Sequence, residues 1–469
     1  MKIFNKKIIF IFIGIIGFVF LFQLEPPEKL NQDAWLVASL LFLMTFWWLT
    51  ETIPMSVTAL LPLIIVPVFT TFSVSEVVQP YSSPIIFLLL GGFVIGLGFQ
   101  KSKLHKRLAM YILSKIGNNK KSILAAFIIS TSFLSMWISN TATCLLMLPI
   151  LISIISKLKI EKKNFYRKII ILSIAYSSSI GGMATLIGTA PNAIFAGFLK
   201  QNYDIQIDFL EWFLFSFPLV FILILLFWIF ANYLTKNVSL QNLNNKIFVN
   251  EYKKLGKISS QEKVTILIMC FTIFLWVFKS HVNSIFTINL TDANVAILGA
   301  FLFFIVPTKN QDFILEKDWF TKIPWNILVL FGGGLSLANL VTKSGISEWI
   351  GTSLFVFSTL NILLLILLIS ILISFLTEIT SNTATTILFL PILASFSEIH
   401  SFEILKVLLP VVLTASCAFM MPIATPPNAI VFSTNELKIT FMASVGFFMN
   451  VTAVVFSSLW IYYFSKMLI

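Results

Sequence analysis

Uncharged side chains that can ligate ions occur twice in the same order within apolar sequence. Ser139-Asn140-Thr141-Ala142-Thr143 returns as Ser381-Asn382-Thr383-Ala384-Thr385, and each copy runs on into Leu-Pro-Ile at 148–150 and 390–392. Ile187-Gly188-Thr189-Ala190-Pro191-Asn192-Ala193-Ile194 returns as Ile423-Ala424-Thr425-Pro426-Pro427-Asn428-Ala429-Ile430. The two repeats are offset by 242 and 236 residues. Hydroxyl and amide oxygens suit a hard cation, and an Asn amide also donates to an anion. Proline lacks a backbone donor and interrupts a helix. The interruption frees carbonyls for a cation, while the resumed helix points N–H groups at an anion. Each half therefore offers one polar tip and one broken helix, enough for two cation sites flanking one anion site. The four segments contain no Lys or Arg. An anion there would be held by amides, hydroxyls, helix ends and the cations themselves, so its binding would depend on theirs. One isolated motif of this kind is more often a neighbour-to-neighbour hydrogen bond or a proline kink. Repetition of both motifs in matching order favours a transport site.

Charged groups are scarce near these segments. Glu378 lies three residues before Ser381, and its repeat counterpart is Met136. Being unmatched, it is expected to orient its neighbours, with a proton-carrying role left open because buried carboxylates are functional suspects. Glu51 stands at a span end before Pro54. With no Asp, Glu or His in the duplicated core, sodium is favoured over a proton as the coupling ion. Cys144, Cys270 and Cys417 are far apart in apolar runs, which suggests neither a disulfide framework nor a metal cluster. No nucleophile–base or metal constellation suggests an enzyme.

The elements that must carry these motifs are membrane helices. Of 469 residues, 58% are hydrophobic and only 11% charged, which excludes a soluble globule. The net charge of +12 reflects basic residues beside membrane spans rather than a nucleic-acid surface. Eleven spans are expected near 8–24, 34–50, 55–72, 84–100, 169–200, 209–234, 264–280, 292–306, 324–342, 404–433 and 440–465. The first follows Lys2, Lys6 and Lys7 without a small-residue cleavage site after it, and is taken as an uncleaved span. Stretches 122–156 and 360–397 hold the Ser-Asn-Thr motifs near their middles. If both are hairpins that re-enter on one side, 26 Lys and Arg residues fall on the N-terminal side of the membrane. Six fall opposite, at Lys29, Lys200, Lys279, Lys343, Lys406 and Lys466. The positive-inside rule then places the N-terminus in the cytoplasm and the C-terminus outside. The first hairpin opens from the cytoplasm and the second from outside, so the halves are inverted copies. Segments 102–117 and 345–357 are expected to lie along the membrane surface, and 236–263 is the one long polar loop.

These motifs resemble the divalent anion:sodium symporter family of sodium-coupled di- and tricarboxylate carriers. The likeness runs from about Trp35 onward and includes Ser135-Met136-Trp137-Ile138-Ser139-Asn140-Thr141 and Thr377-Glu378-Ile379-Thr380-Ser381-Asn382-Thr383. It implies an all-α, elevator-type homodimer. Scaffold segments 1–121 and 236–359 would hold a transport domain made of 122–235 and 360–469. It implies a first sodium site at Ser135, Ser139, Asn140 and Gly188, and a second at Thr377, Thr380, Asn382 and Ala424. The substrate carboxylates would meet Asn140, Thr141, Thr189, Asn382, Thr383, Thr425 and Pro426. No cofactor is implied beyond sodium as the coupling ion. The expected protein is an integral protein of a bacterial cytoplasmic membrane, importing a small dianion, foremost a C4-dicarboxylate such as succinate, malate or fumarate. A dicarboxylate exchanger and a citrate or sulfate carrier remain as alternatives, with a channel or a membrane-embedded enzyme more remote. Nucleic acid is not expected as a partner.

Overall fold

The computed structural model describes residues 2–116, 119–158, 160–238, 246–309 and 311–468. Residue 117 of the first surface segment and residues 239–245 of the polar loop lie outside the described residues. Among the described residues there are helices and no strands. The first half comprises α1 (Lys2–Gln23), α2 (Gln32–Thr50), α3 (Met55–Thr58), α4 (Leu61–Phe69), α5 (Val74–Val78), α6 (Pro84–Lys101), α7 (Leu104–Ile116), α8 (Lys120–Ser135), α9 (Asn140–Lys157), α10 (Phe165–Gly182), α11 (Ala190–Tyr203) and α12 (Phe209–Leu234). The second comprises α13 (Lys246–Lys254), α14 (Ser260–Phe286), α15 (Asp292–Ile305), α16 (Trp325–Lys343), α17 (Ile346–Ser353), α18 (Ile362–Leu376), α19 (Asn382–Ile399), α20 (Ile404–Ala415), α21 (Pro426–Phe432) and α22 (Ile439–Phe464).

Nine helical runs among the described residues are long and apolar enough to cross a membrane. Phe221 on α12, Leu267 on α14 and Phe447 on α22 face outward, as residues meeting lipid tails do. Helix starts are fixed locally. Asn31 caps α2, and Ser259 with Glu262 forms a reciprocal capping box on α14. The expected span at 55–72 is two short helices, α3 and α4, bent at 59–60; Pro62, within the first turn of α4, has no N–H to continue the earlier ladder. The polar loop contains the helix α13, which packs on α7 through Tyr252 and Tyr111, with ring centroids 5.8 Å apart.

Both motif-bearing stretches fold as hairpins whose feet share one face. At the start of α8, Lys120 Nζ donates to the carbonyls of Thr235 (2.8 Å) and Val238 (2.6 Å), just beyond α12. At the end of α9, Lys157 pairs with Glu251 of α13 at 2.7 Å. That hydrogen bond, with Lys254 on the other side, holds the Glu251 carboxyl below its usual range. In the second hairpin, α18 starts beside the segment that follows α17. His400, at the end of α19, reaches Gly351 O of α17 at 3.3 Å. A chain that leaves and returns to one face does not cross.

The expected spans at 169–200 and 404–433 are broken. Residues 183–189 separate α10 from α11, and 416–425 separate α20 from α21. The halves then interlock: α9 packs on α21 of the other half, and α19 packs on α11. Arg167, near the start of α10, makes a two-pronged ion pair with Glu436 beyond α21, both contacts at 2.6 Å and both side chains 7% exposed. Removing either partner would leave a buried charge uncompensated. Elsewhere Arg107 of α7 pairs with Glu262 of α14 at 2.7 Å. Lys279 of α14 bridges Asp292 of α15 (2.8 Å) and Asp208, the cap of α12 (2.7 Å).

Candidate functional site

The first hairpin turns over residues 136–139, and Ser139 caps α9 by accepting from Ala142 N at 3.3 Å. The last residue of α8, Ser135, sets its Oγ 2.7 Å from Asn140 Oδ1 and 2.6 Å from Ser178 O of α10. One hydroxyl proton cannot serve two acceptors, so in this orientation one oxygen of the group is without a donor. With the Asn140 amide turned over, its nitrogen instead lies 2.7 Å from Ser135 Oγ, 2.9 Å from Ser178 O and 3.2 Å from Gly188 O. A hydroxyl and two carbonyls thus converge on one end of this amide. Such a place accepts an NH₂ group or, with the amide oxygen turned in, a hard cation in an all-oxygen shell. The approach is close enough to demand glycine. A Cβ on Gly182 would collide with Asn140 Oδ1, and one on Gly188 with Gly182 O.

The second hairpin repeats the arrangement. Thr377 Oγ1 lies 2.7 Å from Asn382 Oδ1 and 3.1 Å from Ala415 O of α20. The structure therefore brings Ser135, Asn140 and Gly188 together in one cluster, and Thr377 and Asn382 in the other. The Ser139 hydroxyl is occupied as a helix cap. The Thr380 hydroxyl is occupied by Leu376 O (3.0 Å) and Thr385 Oγ1 (2.6 Å). Ala424 sits in the second break with its N–H on Met421 O, beside Thr425.

The carbonyls of Ser178 and Ala415 were not foreseen from the sequence. Their only signal is the polar run Ser177-Ser178-Ser179 on α10 against Thr414-Ala415-Ser416 in the second half.

The breaks themselves are held open by Asn192 and Asn428, matched residues whose part was also not foreseen. Asn192 Nδ2 donates to Thr185 O (2.8 Å) and Met183 O (3.1 Å), and Asn428 Nδ2 to Ala418 O and Met421 O (both 3.0 Å). Both amide oxygens are buried without a partner among the described residues. Thr189 and Thr425 stand as the cap residues of α11 and α21 with nearly identical backbone, φ −141° and ψ 147° and 149°. Thr141 and Thr383 occupy the first turns of α9 and α19 and are partly exposed, as is fitting for substrate contacts.

Glu378 is buried and fully engaged. Its carboxylate accepts from Met420 N (2.9 Å), Met421 N (2.8 Å) and Asn450 Nδ2 (2.7 Å), while Asn450 Oδ1 accepts from Phe419 N at 3.1 Å. It fastens the second hairpin to the second break. Opposite, the first half does the same with neutral groups: Thr185 Oγ1 donates to Met136 O at 2.6 Å, and Ser216 Oγ to Ala184 O at 2.9 Å.

The two clusters are covered unequally. Helix α6 lies over the first: Cβ positions on Gly92 and Gly96 would be 3.1 Å from Ile187 and 3.0 Å from Ile138. Trp137 of the first tip stacks toward Phe209 (6.3 Å), which stacks on Trp276 of α14 at 4.2 Å. At the second cluster Ile379, Ile423 and Pro426 are exposed. The second tip is therefore the less covered of the two. Cys144, one turn into α9, is buried with its thiol 3.6 Å from Pro427 O.

Comparison with known proteins adds an independent line. A family model described as the sodium:sulfate symporter transmembrane region matches residues 4–469. The chain is 35% identical over 472 residues to the sodium-dependent dicarboxylate transporter SdcS of Staphylococcus saprophyticus, covering 97% of this chain and 91% of that protein. It is 33% identical to SdcS of Staphylococcus aureus strain USA300, with the same coverage. Among solved structures, the Alcanivorax borkumensis YdaH transporter superposes with a TM-score of 0.55 at 11% identity, covering 82% of this chain and 86% of that one; this likeness concerns the fold alone. The resemblance to the divalent anion:sodium symporters and the all-helical transporter fold are borne out.

Proposed function

The chain belongs to the family of the sodium:sulfate symporter transmembrane region, and we propose that it imports a small dianion driven by sodium. The substrate is a C4-dicarboxylate such as succinate, malate or fumarate, in keeping with the relatives named as sodium-dependent dicarboxylate transporters. The observation that supports this reading is the pair of matched clusters, Ser135/Asn140/Ser178/Gly188 and Thr377/Asn382/Ala415, each gathering hydroxyl, amide and carbonyl oxygens of the kind a hard cation takes. Two sodium ions fill them, with Ser139, Thr380 and Ala424 contributing backbone oxygens. The dianion lies between, on Asn140, Thr141, Thr189, Asn382, Thr383, Thr425 and Pro426. No Arg or Lys in these segments neutralises it. Two bound sodium ions do, so an anion without sodium faces an array of oxygens with no cation to balance its charge. That is the origin of coupling.

Translocation proceeds by an elevator movement. The body formed by 122–235 and 360–469 slides against the scaffold of 1–121 and 236–359. The interlock of α9 with α21 and of α19 with α11 supports motion of that body as one unit. Covering of the first tip by α6, with the second tip less covered, supports a state facing the side from which the second hairpin enters. The lysine and arginine distribution supports an N-terminus in the cytoplasm of a bacterial cell and a C-terminus outside. Two copies assemble through their scaffolds.

The test is uptake of labelled succinate into proteoliposomes under an inward sodium gradient, against an equal potassium gradient. Uptake with sodium alone is expected. Succinate exchange without any sodium requirement would instead identify an exchanger.

A further inference from the structure

The half-helices α11 and α21 occupy matched places and have nearly the same entry backbone, yet they differ in the donors they leave free. In α21 the first two residues, Pro426 and Pro427, have no N–H, and the third, Asn428, donates its N–H to Thr425 Oγ1 at 3.3 Å. Its first turn has nothing left to offer an anion. In α11 only Pro191 lacks an N–H. The N–H groups of Ala190 and Asn192 donate to no atom among the described residues. A second feature points the same way. Thr189 is 9% exposed, and its hydroxyl neither caps α11 nor makes any other hydrogen bond among the described residues. Set in a residue that is otherwise buried, that hydroxyl is free to take a partner from outside the protein.

Building on the sodium-coupled dianion reading, we propose that α11 is the anion pole of the site and that Ala190 determines it. One substrate carboxylate sits on the N–H groups of Ala190 and Asn192 and the Thr189 hydroxyl, at the positive end of a 14-residue helix. The other carboxylate, facing α21, depends on the side chains of Asn382, Thr383 and Thr425 and on sodium. The repeat is symmetric in its cation sites and polar in its anion site. The missing donor at the first helical position has a sequence cause: position 190 is alanine where the counterpart, 426, is proline.

The repeat also supplies a clean test. Proline is well accepted at the first position of a helix. The preceding Thr189, at φ −141° and ψ 147°, already has the extended backbone that a residue before proline adopts, as Thr425 does before Pro426. Ala190→Pro therefore deletes one N–H with little else changed. Wild type, A190P, Thr189→Val and Pro426→Ala are compared in detergent by thermal stabilisation, first with sodium alone and then with succinate added at saturating sodium. The KM for succinate in proteoliposomes is measured in parallel. A190P is expected to keep stabilisation by sodium alone and to lose succinate affinity by about tenfold or more, the effect of one hydrogen bond to a charged group. T189V shifts in the same direction, and P426A, which gains an N–H at the matching place, binds succinate more tightly. Wild-type succinate affinity in both A190P and T189V, with wild type itself responding to succinate, would overturn this proposal alone. A wild type that succinate fails to stabilise in the presence of sodium would overturn the parent reading and this one with it.

Discussion

Ile187 and Ile423 occupy the same place in the two repeats, yet the first is 6% exposed beneath α6 and the second is 74% exposed. Along the hairpin arms the relation reverses. Leu145 of α9 is 55% exposed, whereas its counterpart Ile387 of α19 is 2% exposed and presses on Gly334 of α16. Helix α6 thus grips the first half at its tip and break, while α16 grips the second half five residues past Asn382. At 1.5 Å per residue that is a displacement of about 7.5 Å along the helix. Sequences this similar do not dictate opposite environments. On the proposed elevator reading, the difference reflects the position of the transport body against the scaffold, and exchanging the roles of the halves describes the other end of the stroke.

The comparison can be broken most severely at the cation clusters. The first half has Gly182 and Gly188 where the second has Ala418 and Ala424. Gly182→Ala should abolish sodium-driven uptake, a loss of about a hundredfold or more, because its Cβ would occupy the space of the Asn140 amide. Ala418→Gly should retain uptake within a few fold. Equal effects of the two substitutions, measured as initial rates, would mean that the first cluster is not the tighter one.

A smaller loss should come from either asparagine. Asn140→Ala and Asn382→Ala should each weaken sodium and succinate together by about ten- to a hundredfold, because each amide serves a cation and the anion. Sodium titrations at fixed succinate, and the reverse, check this. A mutant with normal sodium dependence and weak succinate binding would separate the two ligands.

The mildest probe reads the covering itself. In a background with the exposed Cys270 replaced, a cysteine at Ile423 should react readily with a water-soluble thiol reagent, and one at Ile187 should not. Conditions that drive the body across should reverse the order. Labelling rates that never change would argue for a fixed architecture.

Much of this was legible in the sequence because the motifs repeat almost letter for letter and the lysines and arginines segregate. Both hairpins and both breaks follow from those signals. What stayed hidden rests on backbone or on distant partners. The carbonyls of Ser178 and Ala415 have no side-chain signature. Glu378 is conspicuous in sequence, but its partners are the N–H groups of Met420 and Met421 more than forty residues away. The Arg167–Glu436 pair joins residues 269 apart, which no local pattern announces. The bend at 59–60 was masked by continuous apolarity, although Pro54 and Pro62 bracket it.

The most direct test of the central claim, that bound cations complete the anion site, is the succinate affinity of the purified protein as a function of sodium at constant ionic strength. Succinate Kd should fall steeply as sodium rises, and sodium affinity should rise with succinate by the same factor. An unchanged succinate Kd when potassium replaces sodium would contradict it.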